Sequence, residues 1–182
     1  LYKMLHATRP YELEKGTAEA LFEAFCDELC RIMRNHRFKW FHLITGSHLE
    51  PIEELLTRAA KQFSAIRQNE KKRPRILLGG EFYVRIDDRG NLGIIDQIEE
   101  AGGEVCLAPT SEIFLYTVYA DYREAKRLFG FKKSLPHLFS LLGKDYTHRL
   151  ALRDEHRLTH AAAELLHDLA EPTPREIMDL SR

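Results

Sequence analysis

The sequence predicts an α/β protein that is rich in helix and has a short parallel sheet flanked by amphipathic helices. Two apolar runs, residues 75–80 and 104–109, have the length and composition of parallel strands and end in glycine or proline. Between them, Ile94, Ile95 and Ile98 share a helix face ahead of the glycine pair Gly102-Gly103. A strand, helix and strand at this spacing predict a right-handed βαβ unit.

Two amphipathic helices are predicted before this unit. Thr17 is suited to cap the first, whose apolar residues recur at spacings of three and four as far as Met33. Pro51 suits the first turn of the second helix, which is expected to end at the polar stretch 68–74. Residues 38–45 are dense in aromatic and β-branched types, and either a short strand or a buried turn fits them.

Three helices are predicted after the second strand. Thr110 or Ser111 is expected to cap the first of them, and Gly130 with the lysines after it is expected to end it. The others are expected near 136–143 and 150–169, ahead of a proline-rich linker. We therefore divide one compact domain into three parts: a helical segment (1–73) packing on the sheet, a Rossmann-like βαβ core (74–130) and a helical extension (131–182).

The predicted sheet has too few strands. Parallel sheets that bury both faces usually have about four strands or more, and only two are strong here. We expect the sheet to be incomplete and the chain, which begins at Leu1 and ends at Arg182 soon after a helix-start signal, to be an internal fragment of a larger protein. The exposed sheet edge would then be covered by helix packing or by dimerisation.

Composition limits the classes of partner. A formal net charge of −1 gives no electrostatic reason to expect nucleic acid or an anionic membrane. The local basic runs Lys71-Lys72-Arg73 and Lys132-Lys133 are interpreted as solvated linkers rather than phosphate sites. No apolar run approaches the ~20 residues that cross a bilayer. Three cysteines do not make a disulfide framework, which favours a reducing cytoplasm.

The candidate ligand-binding residues lie at the carboxyl ends of the two strands, where open α/β sheets bind ligands. After the first strand, Glu81, Tyr83 and Arg85 alternate, so an extended loop would point all three the same way. They would suit a carboxylate, a phosphate or an amide. Ser111 and Glu112 follow the second strand. The alternative interpretation is that Glu81 and Arg85 pair with each other or with neighbouring helices and only hold the loop.

Nucleotide and metal sites are not expected. Gly79-Gly80 matches neither glycine-rich phosphate-loop pattern, although the helix after Asn91 could hold an anion at its amino end. The cysteines are interpreted as structural thiols rather than cluster ligands. His156 and His160 are four residues apart, but their helix is interpreted as a solvated face.

Several segments resemble the 2-hydroxyacyl-CoA dehydratase family, including the 2-hydroxyglutaryl-CoA dehydratase D-component and the acyl-CoA dehydratase activase-related proteins. The similarity extends over residues 1 to about 125, in the same order. The segments that carry it are Arg9-Pro10-Tyr11-Glu12 with Lys15-Gly16, Gly80-Glu81-Phe82-Tyr83-Val84-Arg85, the run from Glu99 to Val105, and Ala108-Pro109 with Glu112.

The resemblance implies Rossmann-like or flavodoxin-like halves that hold a [4Fe-4S] cluster through three cysteines. An ATP-dependent activase supplies one electron to that cluster for the dehydration of a 2-hydroxyacyl-CoA. This chain departs from the pattern, because its turn Pro109-Thr110-Ser111-Glu112 has no cysteine. We therefore expect a fragment that is inactive and cluster-free by itself.

The expected partners are the rest of a parent polypeptide, an acyl-CoA substrate, the activase and a second copy in a homodimer. The alternative function is a non-catalytic docking or scaffold module of a redox complex.

Overall fold

The computed structural model describes residues 1–35, 40–67, 73–108 and 111–163, which fall into two units. The first unit holds the described residues of Leu1–Ala108 together with 158–163, and the second holds those of Pro109–Arg157. The predicted fold class is confirmed at the level of a helix-rich chain with a short parallel sheet.

The first unit contains seven helices and two strands in its described residues 1–108, apart from short 3₁₀ turns. In chain order they are α1 (Tyr2–Thr8), α2 (Thr17–Asn35), α3 (Trp40–Thr45), α4 (Glu50–Ile66), β1 (Arg75–Leu78), α5 (Phe82–Ile86), α6 (Asp88–Asn91), α7 (Ile94–Glu100) and β2 (Glu104–Leu107). The 3₁₀ turns are Arg9–Tyr11 and Ser47–Leu49.

The main core of this unit lies between α1, α2 and α4. Both amphipathic helices predicted before the sheet are confirmed, and their apolar faces meet through Phe25 and Phe63, whose ring centroids are 6.5 Å apart. Helix α1, which periodicity does not predict, fills the centre. Met4 is fully buried, and every residue from there to Thr8 is inaccessible to solvent or nearly so. Because α1 is enclosed on all sides, its sequence shows no apolar stripe.

The two strands pair in parallel, as the βαβ pattern predicts. Arg75 is aligned with Glu104 and Leu78 with Leu107. Val105 and Leu107 pack against Ile95 of α7 in a second, smaller core. Gly102, in the turn between α7 and β2, has a positive φ of 90°, which a glycine adopts without strain.

Three local predictions in this unit are wrong. Strand β1 is not buried: Leu77 is 68% exposed, because α1 and α7 pack on β2. Residues 40–45 form α3 rather than a strand or turn, and left-handed Gly46 ends that helix; residues 38 and 39 lie outside the described residues. The expected extended loop after β1 contains the short helix α5.

The described residues of the second unit form an antiparallel pair of long helices, α8 (Ser111–Lys132) and α9 (Leu135–Ala161), of which α9 belongs to this unit as far as Arg157. Tyr122 of α8 stacks on His148 of α9 with ring centroids 5.1 Å apart, and Asp121 pairs with Lys144. Helix α8 continues through Gly130 and ends at Lys132, so the predicted stop at Gly130 and the lysines after it is confirmed at the lysines and not at the glycine. The predicted break after Gly143 is wrong, because α9 continues through that glycine. A glycine inside a helix costs only about 1 kcal/mol, which the remaining residues of a long helix can offset.

An apolar stripe follows the outer face of α9. Leu135, Phe139, Leu142 and Tyr146 recur at spacings of four, three and four, and their exposed fractions are 69%, 69%, 55% and 45%. Phe131, near the end of α8, is 90% exposed. Large exposed apolar side chains aligned along one helix in this way are typical of interaction sites. Within the described part of the chain, no helix is both long enough and apolar enough to span a membrane.

Candidate functional site: a buried ion network around the N-terminal motif

The segment Arg9-Pro10-Tyr11-Glu12 lies at the centre of a network of charged side chains in the first unit, of which the carboxylates of Glu99 and Glu104 are the most buried. It follows α1 directly and begins as a 3₁₀ turn with proline in its first turn. Its side chains reach α7, β2 and the amino end of α2, which are distant in sequence from one another. The segment therefore joins three elements of the fold.

Arg9 binds two carboxylates of α7. Its Nε donates to Glu99 Oε2 at 2.5 Å, and its Nη2 donates to Asp96 Oδ1 at 2.6 Å. Burial lowers the pKa of the Arg9 guanidinium, but its hydrogen bonds to the two carboxylates and their charges outweigh that effect and raise the pKa above its ordinary value. The group is therefore a permanent cation held in place by α7.

Tyr11 binds the carboxylate of Glu104 at the start of β2. Its hydroxyl donates to Glu104 Oε2 at 2.5 Å, and the side chains of both residues are almost completely buried. Arg75 Nε lies 3.2 Å from the other carboxylate oxygen, and Arg67 Nη2 lies 3.5 Å from Oε2. A buried carboxylate requires such partners, because an unpaired charge away from water is strongly destabilising.

Glu12 caps the amino end of α2. Its Oε1 accepts a hydrogen bond from the amide of Gly16 at 3.0 Å, and its Oε2 accepts one from the amide of Ala18 at 2.8 Å. Amides at a helix start lack partners within the helix, and a carboxylate satisfies them while interacting favourably with the helix dipole.

His6 lies beside Arg9 in this network. Its Nδ1 is 3.0 Å from Glu99 Oε1, and the ring of Tyr2 packs edge-on against it with a centroid separation of 4.6 Å. Its Nε2 is buried and has no hydrogen-bond partner among the described residues. Here that nitrogen is enclosed in the protein interior.

The sequence-predicted residues after β1 do not point the same way. Glu81 is extended and exposed immediately before α5, and Tyr83 is 67% exposed. Arg85 is 8% exposed, and its Nε donates to the carbonyl oxygen of Gly80 at 2.7 Å. Because Tyr83 and Arg85 are two positions apart on a helix, their side chains diverge. The contact to Gly80 agrees with the alternative in which Arg85 holds the loop. Among the ion pairs between described residues, Glu81 and Arg85 are not paired with each other.

The other predicted residues belong to the second unit. Ser111 is the first residue of α8, and its hydroxyl donates to Glu155 Oε1 of α9 at 2.9 Å. Glu112 follows it in the helix. For both groups of candidate residues, ligand binding remains a prediction.

The cysteines occupy two separate elements of the first unit. Cys26 and Cys30 lie on α2, and Cys106 lies in β2. Burial raises the pKa of the Cys26 thiol, and the charges of neighbouring groups act as smaller causes. In the described portion of the chain, no three histidine, cysteine or acidic side chains converge as metal ligands would.

Sequence reasoning named Tyr11 and Glu104 only as parts of a resemblance and did not predict that they meet. The available signal was Glu104 itself. A carboxylate at the first position of an otherwise apolar strand, directly after two glycines, must find partners if that strand is buried. The sequence does not say which distant residues those partners are.

Comparison of this chain with protein-family models, with curated proteins and with solved structures finds no match in any of the three.

Proposed function

We propose that this chain is a cluster-free domain of a 2-hydroxyacyl-CoA dehydratase-like, activase-related iron–sulfur enzyme, with its two strands part of a Rossmann-like sheet. The observation that carries the proposal is the contact between two segments of the resemblance. Arg9 and Tyr11, from the first segment, bind Glu99 and Glu104, from the segment around the second strand. The resemblance thus rests on segments that fold against each other, although they are about ninety residues apart in sequence.

The cysteines fit a domain that leaves the cluster to another part of the enzyme. Three or four thiolates must converge to hold a [4Fe-4S] cluster. Here Cys26 and Cys30 share one helix and Cys106 lies in a strand. The turn after that strand, where the family resemblance implies a cluster ligand, contains serine and glutamate instead. On this proposal the domain supports the fold and the catalytic parts lie elsewhere in a parent polypeptide.

The test is anaerobic reconstitution with iron and sulfide of this 182-residue chain and of the full-length parent protein in parallel. We expect the absorption and electron paramagnetic resonance signals of a [4Fe-4S] cluster in the parent and none in the chain. We also expect the reduced parent to dehydrate a 2-hydroxyacyl-CoA when an ATP-dependent activase is supplied. A parent without a cluster would contradict the proposal, as would a cluster held by this chain alone.

A second candidate function is a non-catalytic docking or scaffold module of a redox complex. The apolar stripe of α9 favours it, because the stripe offers two aromatic and two leucine side chains to one amphipathic helix of a partner. If the stripe is a docking site, its partner is the rest of the parent polypeptide or another subunit. The competing possibility is that a second copy of this chain binds the stripe.

Placing a charge in the stripe tests whether it is a docking surface. Phe139→Asp should abolish association without unfolding the hairpin, because the side chain is already 69% exposed. Lys126→Asp, on the exposed surface of α8, is the matched control. Sedimentation of the chain alone reports self-association, and sedimentation with the separately produced remainder of the parent reports docking. Unchanged association of the Phe139 variant in both experiments would exclude a docking role for the stripe.

A further inference from the structure

Two arginine side chains of the first unit lie against the ring of Tyr11. The guanidinium carbon of Arg67 is 4.1 Å from the ring centroid, and that of Arg73 is 5.8 Å from it. The backbone amide of Arg73 also donates to the Tyr11 hydroxyl oxygen at 3.3 Å. The buried ring therefore positions both cations on one rigid support.

The charges in this cluster do not balance. The carboxylate of Glu104 already accepts the Tyr11 hydroxyl and lies 3.2 Å from Arg75 Nε, while Arg67 approaches it only to 3.5 Å. Arg73 has no carboxylate within ion-pair distance in the described part of the chain, and its one ring contact is with Tyr11. Two guanidinium groups thus share, at most, one carboxylate that is already occupied.

The excess positive charge is accessible from solvent. The side chain of Arg67 is 29% exposed and that of Arg73 is partly buried, whereas the side chain of Glu104 is 2% exposed. Arg73 Nη1 also lies 3.7 Å from the point where a side chain on Gly102 would begin, so the guanidinium lies beside the turn that precedes β2. An anion approaching this surface meets the two cations before it meets the carboxylate.

We propose that Arg67 and Arg73 form a binding site for a phosphate group, either free or as a phosphate ester. Two planar guanidinium forks supply paired donors that match the oxygens of a phosphate, and a dianion offsets both positive charges. The site lies where β1 and β2 begin, at the opposite end of the strands from Glu81 and Arg85. It therefore differs from the site that the sequence predicts, and it does not rest on the proposed enzyme family.

The test is a titration of the full chain with inorganic phosphate at constant ionic strength, followed through the arginine Nε–Hε resonances in nitrogen–proton correlation spectra. We expect saturable shifts of the resonances of Arg67 and Arg73. Arg67→Gln and Arg73→Gln should each weaken binding about tenfold, which corresponds to one lost charge-assisted hydrogen-bonding group. Arg58→Gln is the matched control, because Arg58 pairs with Glu28 at 2.6 Å and should leave phosphate binding unchanged.

Stability without phosphate separates a binding site from a structural contact. Arg73→Gln should unfold at the same urea concentration as the wild type or a higher one, since the cation that it removes has no carboxylate partner among the residues that the structure describes. A large loss of stability with unchanged phosphate binding would overturn the proposal. Phosphate-induced resonance shifts of equal size in the wild type and in the Arg67, Arg73 and Arg58 variants would also overturn the proposal, because they would indicate a general salt effect.

Two further ligands define the chemical class. Tighter binding of adenosine monophosphate than of phosphate supports an ester as the ligand, and equal binding supports recognition of the phosphate group alone. Acetate that binds as tightly as phosphate would overturn the assignment to phosphate.

Discussion

Removing the hydroxyl group of Tyr11 measures how far the first unit depends on its buried carboxylate. In Tyr11→Phe the ring and its contacts with the arginines are retained, and the hydroxyl's two hydrogen bonds are lost: the one it donates to Glu104 Oε2 at 2.5 Å and the longer one it accepts from the Arg73 amide at 3.3 Å. Tyr11 is 2% exposed and Glu104 is 1% exposed, so water cannot replace that donor without opening the core.

The expected loss follows from the partners that remain. A hydrogen bond to a charged group contributes about 1.5–3 kcal/mol to stability. Arg75 and Arg67 still contact the carboxylate in the variant, so we expect a loss of ~2 kcal/mol, toward the lower end of that range. For a chain of this length that corresponds to a fall in melting temperature of about 4–8 °C.

The assay is urea unfolding followed by far-ultraviolet circular dichroism in a buffer free of phosphate. Tyr116→Phe is the control, because Tyr116 is 52% exposed and should change the free energy of unfolding by less than about 0.5 kcal/mol. Equal, small effects of the two substitutions would refute the reasoning. A cycle with Glu104→Gln adds a second check, because the effect of Tyr11→Phe should shrink once the carboxylate is neutral.

Three other predictions concern separate features. Gly103→Ala should lower the free energy of unfolding by about 1–3 kcal/mol, because the new methyl group would lie 2.8 Å from an isoleucine side chain; Gly79→Ala, with nothing within 4 Å, should be nearly neutral in the same urea assay. Iodoacetamide at pH 8 should modify Cys26 more slowly than the exposed Cys30, because burial raises the Cys26 pKa and lowers its thiolate fraction; equal rates in peptide mass spectra would contradict this. Phe139→Ser should reduce binding of the dye ANS while changing stability by less than about 0.5 kcal/mol, and undiminished dye fluorescence would show that the stripe is not the exposed apolar surface.

The parts of the fold that the sequence predicts correctly are those with one apolar face. Helices α2 and α4 and the parallel βαβ unit belong to this class, because periodicity and glycine stops report burial on one side. Helix α1 was missed because it is buried all round and has no such period. The apolar sequence of β1 around Ile76 and Leu77 is the same whether or not helices cover the strand, so the sequence does not predict that these side chains are exposed.

The candidate site was less predictable than the fold. Tyr11 and Glu104 are 93 positions apart, and nothing local indicates their pairing. The alternation of Glu81, Tyr83 and Arg85 indicated a shared direction only on the assumption of an extended backbone. Since Phe82–Ile86 is one short helix instead, the same spacing separates the side chains.

The long separation between the Arg9–Tyr11 turn and its partners also affects the order of events during synthesis. At about 5–20 residues per second, the ribosome adds Glu104 roughly 5–20 s after Tyr11. During that interval the N-terminal helix has its neighbours α2 and α4 but not the strand that binds its tyrosine. The nascent chain must therefore keep Arg9, Tyr11 and His6 hydrated until the second strand emerges. Closing this long loop is expected to be a late step in folding.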